Sequence, residues 1–208
     1  MREPIRWLRE IGWRANSYIC GNILIDAAQP VTEVAPYKDQ IDTIVLTHGH
    51  FDHMANLAAL ADLCDAKVWI GEGDLAFLTD DFLSLAGHFG SHSPGITAEP
   101  LADGDRIGEF VVIHTPGHTR GSICLYREED GALIAGDTLF PHGSFGRTDL
   151  PTRPHADPVA STNRLAELPI EPLSFGHTNP APSGAIRHPL PSPPQLPTPE
   201  SRPLPSPA

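Results

Sequence analysis

Seven side chains in this sequence have the chemistry to hold metal ions and use them to activate water: His48, His50, Asp52, His53, His118, Asp137 and His177. Four of them fall within Thr47-His48-Gly49-His50-Phe51-Asp52-His53. An H-x-H pair on a loop can turn both imidazoles toward one ion. A D-H pair two residues later, where a helix begins, can turn toward a second ion beside it. A polar loop in which Asp52 merely caps the helix accounts for Asp52 and leaves three histidines without a role. Seven ligands are too many for one tetrahedral zinc, whose catalytic sites use three protein ligands and a water. Two ions fit better. His48, His50 and His118 would hold the first, Asp52, His53 and His177 the second, and Asp137 would offer one oxygen to each. Bound metal lowers the pKa of water toward about 7, which would supply a hydroxide nucleophile. Asp52 and Asp137, the carboxylates of the set, are the expected catalytic groups. Zinc is the expected metal, although imidazole and carboxylate also accept iron or manganese.

These residues share a setting. Each follows an apolar run that reads as a strand, and each sits where Gly or Pro punctuates the chain, and four strand ends can converge at one sheet edge. Thr43 to Leu46 is the strand before the histidine-rich loop, and Met54, Leu57, Ala58, Ala61 and Cys64 recur at helical spacing after it. A helix is therefore expected from about Asp52 or His53. Upstream, Gly21-Asn22 joins Asn16 to Cys20 and Ile23 to Asp26 as a hairpin. Asp26, at its end, either supports the metal site from behind or caps a turn. Val31 to Asp42 is a helix or loop, Ala66 to Ile70 a strand, and Asp74 to Leu85 a possible helix before a Gly- and Ser-rich loop at His88 to Pro94. His88 and His92 in that loop are expected to face solvent. The strand Phe110 to His114, with His114 structural, breaks at Thr115-Pro116-Gly117-His118-Thr119, a tight turn that projects His118. Ser122 to Tyr126 and Ala132 to Ala135 are further strands, the latter running into Gly136-Asp137. Pro158 to Leu168 is a helix carrying Val159, Leu165 and Leu168, and Leu173 to Phe175 is a last strand ending in Gly176-His177.

Composition narrows the function. The chain has 208 residues and a net charge of −12, which argues against a nucleic-acid backbone as partner. No apolar run approaches the roughly 20 residues needed to cross a membrane, and Met1 to Glu10 is too charged for a signal peptide. Cys20, Cys64 and Cys124 are far apart within apolar stretches, so buried free thiols in a reducing cytoplasm are expected. Residues 1–179 read as one domain. Residues 180–208, with eleven of the 23 prolines, read as a disordered tail that can bury no core. Removing residues 189–208 should leave activity nearly unchanged and shift the melting temperature by less than about 5 °C, roughly 1–2.5 kcal/mol for a domain of this size. Thermal melts of both lengths check this.

The string T-H-x-H-x-D-H, followed in order by T-P-G-H-T, G-D and a late G-H, resembles the metallo-β-lactamase superfamily over about Asn16 to His177. The resemblance implies an α/β fold, an αββα sandwich of two mixed β-sheets flanked by helices, with metals at one edge of the sheets. It implies the same ligand assignment that counting suggests. Gly136-Asp137-Thr138-Leu139-Phe140 followed by Gly146-Arg147-Thr148-Asp149 is most similar to the glyoxalase II-like hydrolases, especially the short forms. Lactam hydrolysis is disfavoured, because the commonest β-lactamases carry Cys where Asp137 stands. The family's RNA-processing branch is disfavoured by the acidic charge. Met54 stands where Gly often follows D-H, and after His177 the proline-rich stretch begins where full-length glyoxalase II continues into a helical glutathione-binding domain. The expected activity is hydrolysis of a small-molecule thioester such as S-lactoylglutathione. The alternative is a persulfide dioxygenase with one iron on His48, His118 and Asp137. Arg147 and His142 are weaker candidates for substrate contact, Arg147 more readily pairing with Asp149.

Overall fold

In the computed structural model, residues 3–140, 144–147 and 158–181 are described. His142, Asp149 and the proline-rich stretch from residue 182 onward lie outside them. The strands are β1 (Arg6–Leu8), β2 (Ser17–Cys20), β3 (Ile23–Ile25), β4 (Thr43–Leu46), β5 (Lys67–Gly71), β6 (Glu99–Leu101), β7 (Arg106–Ile107), β8 (Phe110–His114), β9 (Ile123–Arg127), β10 (Ala132–Ile134) and β11 (Leu173–Ser174). The α-helices are α1 (Val31–Val34), α2 (Phe51–Met54), α3 (Leu57–Cys64) and α4 (Pro158–Ala166). One sheet has the order β1-β2-β3-β4-β5-β6 and the other β11-β10-β9-β8-β7. Both are mixed: β3, β4, β5 and β6 pair in parallel after the antiparallel β2–β3 hairpin, and β11 joins an otherwise antiparallel sheet in parallel.

Side-chain alternation explains the layering. In a strand, successive residues face opposite sides, and here both sides are apolar because both are covered. Ile19, Leu24, Ile44, Leu46, Val68 and Ile70 face outward onto Met54, Leu57, Leu60 and Cys64 of the helices. Their neighbours Tyr18, Cys20, Ile23, Ile25 and Val45 face inward and meet Phe110, Val112, Ile123, Leu125 and Ile134 of the second sheet. That sheet's other face, Ile113, Cys124, Tyr126, Leu133 and Ala135, packs on Leu165 of α4. Three cores separate four layers, which is an αββα sandwich. No helix among the described residues is long and apolar enough to cross a membrane.

The helix after His53 differs from the single one expected. It is broken at Asn56, whose backbone N–H donates to Ala27 O at 3.0 Å and whose amide donates to Ala28 O at 3.0 Å. Those bonds anchor the segment to the end of β3 instead of continuing the helical ladder. Ala58 accordingly faces solvent and Leu60 takes the buried position. The expected helix from Asp74 is instead a 3₁₀ helix over Glu72–Leu78. It stops because the Asp80 carboxylate accepts hydrogen bonds from Phe82 N and Leu83 N, closing a turn. A short 3₁₀ turn, Ala86–Phe89, also interrupts the loop expected near His88. The strands that sequence patterning passes over, β1, β6 and β7, all lie at sheet edges, where short segments carry little burial and even Pro100 is tolerated.

Candidate metal centre

Four strands deliver the seven residues. His48 to His53 follow β4, His118 lies in the β8–β9 turn, Asp137 follows β10 and His177 follows β11. Backbone bonds lock these ends together: Ile123 N donates to Thr47 O (2.9 Å), Gly176 N to Gly136 O (2.8 Å) and Asn16 N to Gly176 O (2.7 Å). Ligand atoms of His48, His50 and His118 lie within 4.8 Å of one another, as do those of Asp52, His53 and His177 and those of His48, His53 and Asp137. The structure thus brings all seven expected residues to one place. Asp52 does not cap the helix. It lies inside α2, whose N-cap is His50, and its Oδ2 is 3.2 Å from His177 Nε2.

The imidazoles are aimed from behind. The His53 ring faces Asp26 Oδ2 with Nδ1 at 2.9 Å, and the His118 ring faces the Arg147 carbonyl with Nδ1 at 2.8 Å. In each case the far nitrogen, Nε2, is left for the cluster, as in metal sites where the second ring nitrogen is bound to a carboxylate or carbonyl. His48 Nδ1 is 3.2 Å from Thr47 Oγ1, so it too presents Nε2. His50 does the opposite and turns Nδ1 to within 2.9 Å of His118 Nε2. Asp137 lies between the two triads. Its Oδ1 is 3.3 Å from His53 Nε2, and its Oδ2 is 3.7 Å from His118 Nε2 and 4.0 Å from His177 Nε2.

This donor set fits divalent cations. His48 Nε2, His53 Nε2 and Asp137 Oδ1 are buried with no hydrogen bond, the Asp137–His53 approach being close but misaligned for one. Three converging orphaned donors in a native interior require a partner, and a metal ion would serve all of them. Burial, reinforced by the neighbouring imidazoles, holds His48 well below the usual histidine range and His50 down to about 3, so both keep a lone pair free. Burial also disfavours charge on His53, but Asp26 and Asp137 outweigh it and raise its pKa well above the usual value. Asp137 is held well below the carboxylate range, since His53 and its neighbours overcome the effect of burial. The potential that favours a proton on His53 would equally favour a metal cation.

Asp26 proves to be a support for the site. Its carboxylate binds His53 and also accepts from Thr47 N at 2.8 Å and Thr47 Oγ1 at 2.9 Å. The peripheral histidines stay outside the cluster: His88 is exposed, His92 pairs with Asp81 at the surface, and His114 Nε2 contacts Arg120 O at 2.9 Å. Nothing in the sequence spacing marks two further contributors. Glu10 Oε2 reaches to 3.5 Å of His177 Nδ1 from the loop before β2. Asp74, fully buried, accepts hydrogen bonds from Gly49 N, Thr119 Oγ1 and Gly121 N. The only hint in the sequence is the clustering of Gly71 and Gly73 before Asp74, which the close packing here requires. A methyl group on Gly71 would land on the Gly121 carbonyl. Gly71→Ala should therefore cost about 1–3 kcal/mol of stability, read as a lower denaturant midpoint with an unchanged slope.

The chain is 36% identical over 156 residues to the hydroxyacylglutathione hydrolase of Aeromonas hydrophila, covering 71% of this chain and 52% of that protein. It is 36% identical over 115 residues to the probable metallo-hydrolase YqgX of Bacillus subtilis, covering 51% of this chain and 53% of the relative. The chain therefore spans about half the length of these curated relatives. Among solved structures, TTHA1623 in a di-iron-bound form matches with a TM-score of 0.75 and 32% identity, over 84% of this chain and 93% of that one. The family model for the metallo-beta-lactamase superfamily matches residues 14–177. That stretch contains both sheets' central strands and all seven clustered residues, and so the chain belongs to the metallo-β-lactamase superfamily.

Proposed function

We propose that this protein is a dinuclear metal-dependent hydrolase acting on a small-molecule thioester, S-lactoylglutathione or a relative of it. The observation that carries the reading is the division of the site into two triads with Asp137 between them. His48, His50 and His118 form an all-imidazole set, whereas Asp52, His53 and His177 form a set with one carboxylate. When bound, two divalent ions supply an activated water near neutral pH and polarise the carbonyl under attack. The chain's own residues prepare that chemistry. Asp137 supplies negative charge between the two sets, Asp26 fixes the tautomer of His53, and Asp52 orients His177 through the 3.2 Å contact. Hydrolysis is favoured by likeness to the hydroxyacylglutathione hydrolases. A cytoplasmic setting suits the three cysteines, all free and buried.

Zinc is the metal we favour, although the di-iron form of TTHA1623 keeps iron open for this chain. A persulfide dioxygenase using His48, His118 and Asp137 would leave His50, Asp52, His53 and His177 without employment, which is why it ranks second. The test is metal content followed by activity. The purified protein should carry two ions per chain and hydrolyse S-lactoylglutathione or a simpler thioester, and a chelator should abolish turnover. One iron per chain, no thioester cleavage and oxygen consumption with glutathione persulfide would overturn the hydrolase.

A further inference from the structure

We propose that Asp74 is a positioning residue that ties the His48–His50 loop to the His118 turn, so that the three imidazoles of the first triad can meet one ion. The proposal rests on the two-triad reading of the metal centre. Asp74 lies in the 3₁₀ helix after β5 and is completely buried, yet it does not belong to any of the three ligand groups. Its oxygens instead receive backbone and hydroxyl donors from both histidine-bearing loops. Oδ2 accepts from Gly49 N at 2.9 Å, and Gly49 lies between His48 and His50. The same oxygen accepts from Thr119 Oγ1 at 2.6 Å, and Thr119 follows His118. Oδ1 accepts from Gly121 N at 2.7 Å, two residues farther along that turn. The two loops are far apart in sequence and leave different sheets, so their relative placement is not dictated by either strand alone.

Packing leaves the clamp little freedom. A Cβ added at Gly121 would come to 2.8 Å from the Asp74 side chain, and one at Gly49 would strike Phe77 of the same 3₁₀ helix. Thr119 is held in turn, its N–H donating to Ser122 Oγ at 3.0 Å. A buried carboxylate accepting three hydrogen bonds fixes each donor's direction more firmly than a neutral group can. His50 Nδ1 and His118 Nε2, one from each loop, are 2.9 Å apart as a result. The second triad does not depend on this clamp in the same way. Asp52 and His53 lie in α2, and His177 follows β11.

The substitution Asp74→Asn keeps the shape but can present only one acceptor oxygen, so its NH₂ must face Gly121 N or Gly49 N. Cobalt(II) is the probe, titrated into the full chain against a competing chelator and followed by its d–d absorption. Two backgrounds isolate the sites: His177→Ala to weaken the second triad and His118→Ala to weaken the first. With His177→Ala, adding Asp74→Asn should weaken cobalt binding at least ~10-fold and shift the spectrum, whereas with His118→Ala it should change binding less than about threefold. Thr119→Val should reproduce the first effect, and Thr119→Ser, which keeps the hydroxyl, should not. These two substitutions keep the question answerable if Asp74→Asn fails to fold. Equal weakening in both backgrounds, or none in either, overturns the positioning role. If the parent protein binds no cobalt, the metal-centre reading fails and this inference falls with it.

Discussion

Asp137→Ala should strip the protein of both ions, whereas His177→Ala should leave about one bound. The two carboxylate oxygens of Asp137 face different partners, Oδ1 toward His53 and Oδ2 toward His118 and His177. Ions in two-metal sites lie roughly 3.5–4 Å apart, and at that separation their mutual repulsion is large unless negative charge lies between them. Asp137 lies between the two sets and would supply that charge together with ligand oxygen facing both. Removing it would delete that oxygen and the charge together. His177 lies at the outer side of the second triad and is the most exposed of its members, its side chain 29% accessible. Its loss should weaken one ion. Loss of a group behind a ligand typically costs 10–100-fold in affinity, so removing a ligand shared by both ions should exceed ~100-fold. Asp137→Asn should fall between, because the amide keeps one oxygen and loses the charge. Metal content after equal dialysis is the readout, with circular dichroism to establish folding. A folded Asp137→Ala protein that retains two ions would refute the bridging role.

Much of this centre is legible in the sequence because metal ligands are few in type and punctuated by Gly and Pro. His48, His50, Asp52, His53, His118, Asp137 and His177 all stand at strand ends that their apolar runs reveal, and β4 and β8 fall where those runs place them. The supports are less visible, for a physical reason. Asp74 acts through three hydrogen bonds and Glu10 through one charge contact, all to partners remote in sequence, and such contacts leave no periodicity. Asn56 breaks the helix for a similar reason: its bonds go to Ala27 and Ala28 across the fold. Edge strands escape notice because they bury little. Arg6 and Trp7 of β1 are exposed, and their pairing with β2 comes from backbone bonds that any sequence can make.

Asp26 could be read from the sequence as a support or as a turn cap, and substituting it should show which function carries the energy. Its backbone has φ of 58°, in the left-handed region that Asp and Asn enter more readily than Ala. Its carboxylate is 1% exposed and receives Thr47 N, Thr47 Oγ1 and His53 Nδ1. Little space is available for water to replace it, since even a methyl on Gly136 would strike the Thr47 side chain. Asp26→Ala would therefore leave buried donors unpaired, remove the counter-charge beside His53 and strain the backbone. Breaking a buried charged pair by removing one partner costs about 3–5 kcal/mol, and the unfavourable φ should add roughly 1 kcal/mol. Asp26→Asn tolerates the left-handed conformation and keeps one acceptor, so its cost should be nearer 1–3 kcal/mol. Its amide can accept from Thr47 or from His53 but cannot serve both as the carboxylate does. With the amide oxygen kept by Thr47, whose hydroxyl faces His48, the ring of His53 is free to exchange tautomers, and binding at the second triad should weaken by about 10–100-fold while the first triad keeps its affinity. Denaturant unfolding of the metal-free proteins measures the first effect and zinc titration the second. An Asp26→Ala protein within about 1 kcal/mol of the parent, a difference typical of an ordinary substitution, would mean that the carboxylate is dispensable to the fold. Unchanged zinc binding by Asp26→Asn would mean that His53 is oriented by its packing in α2 alone.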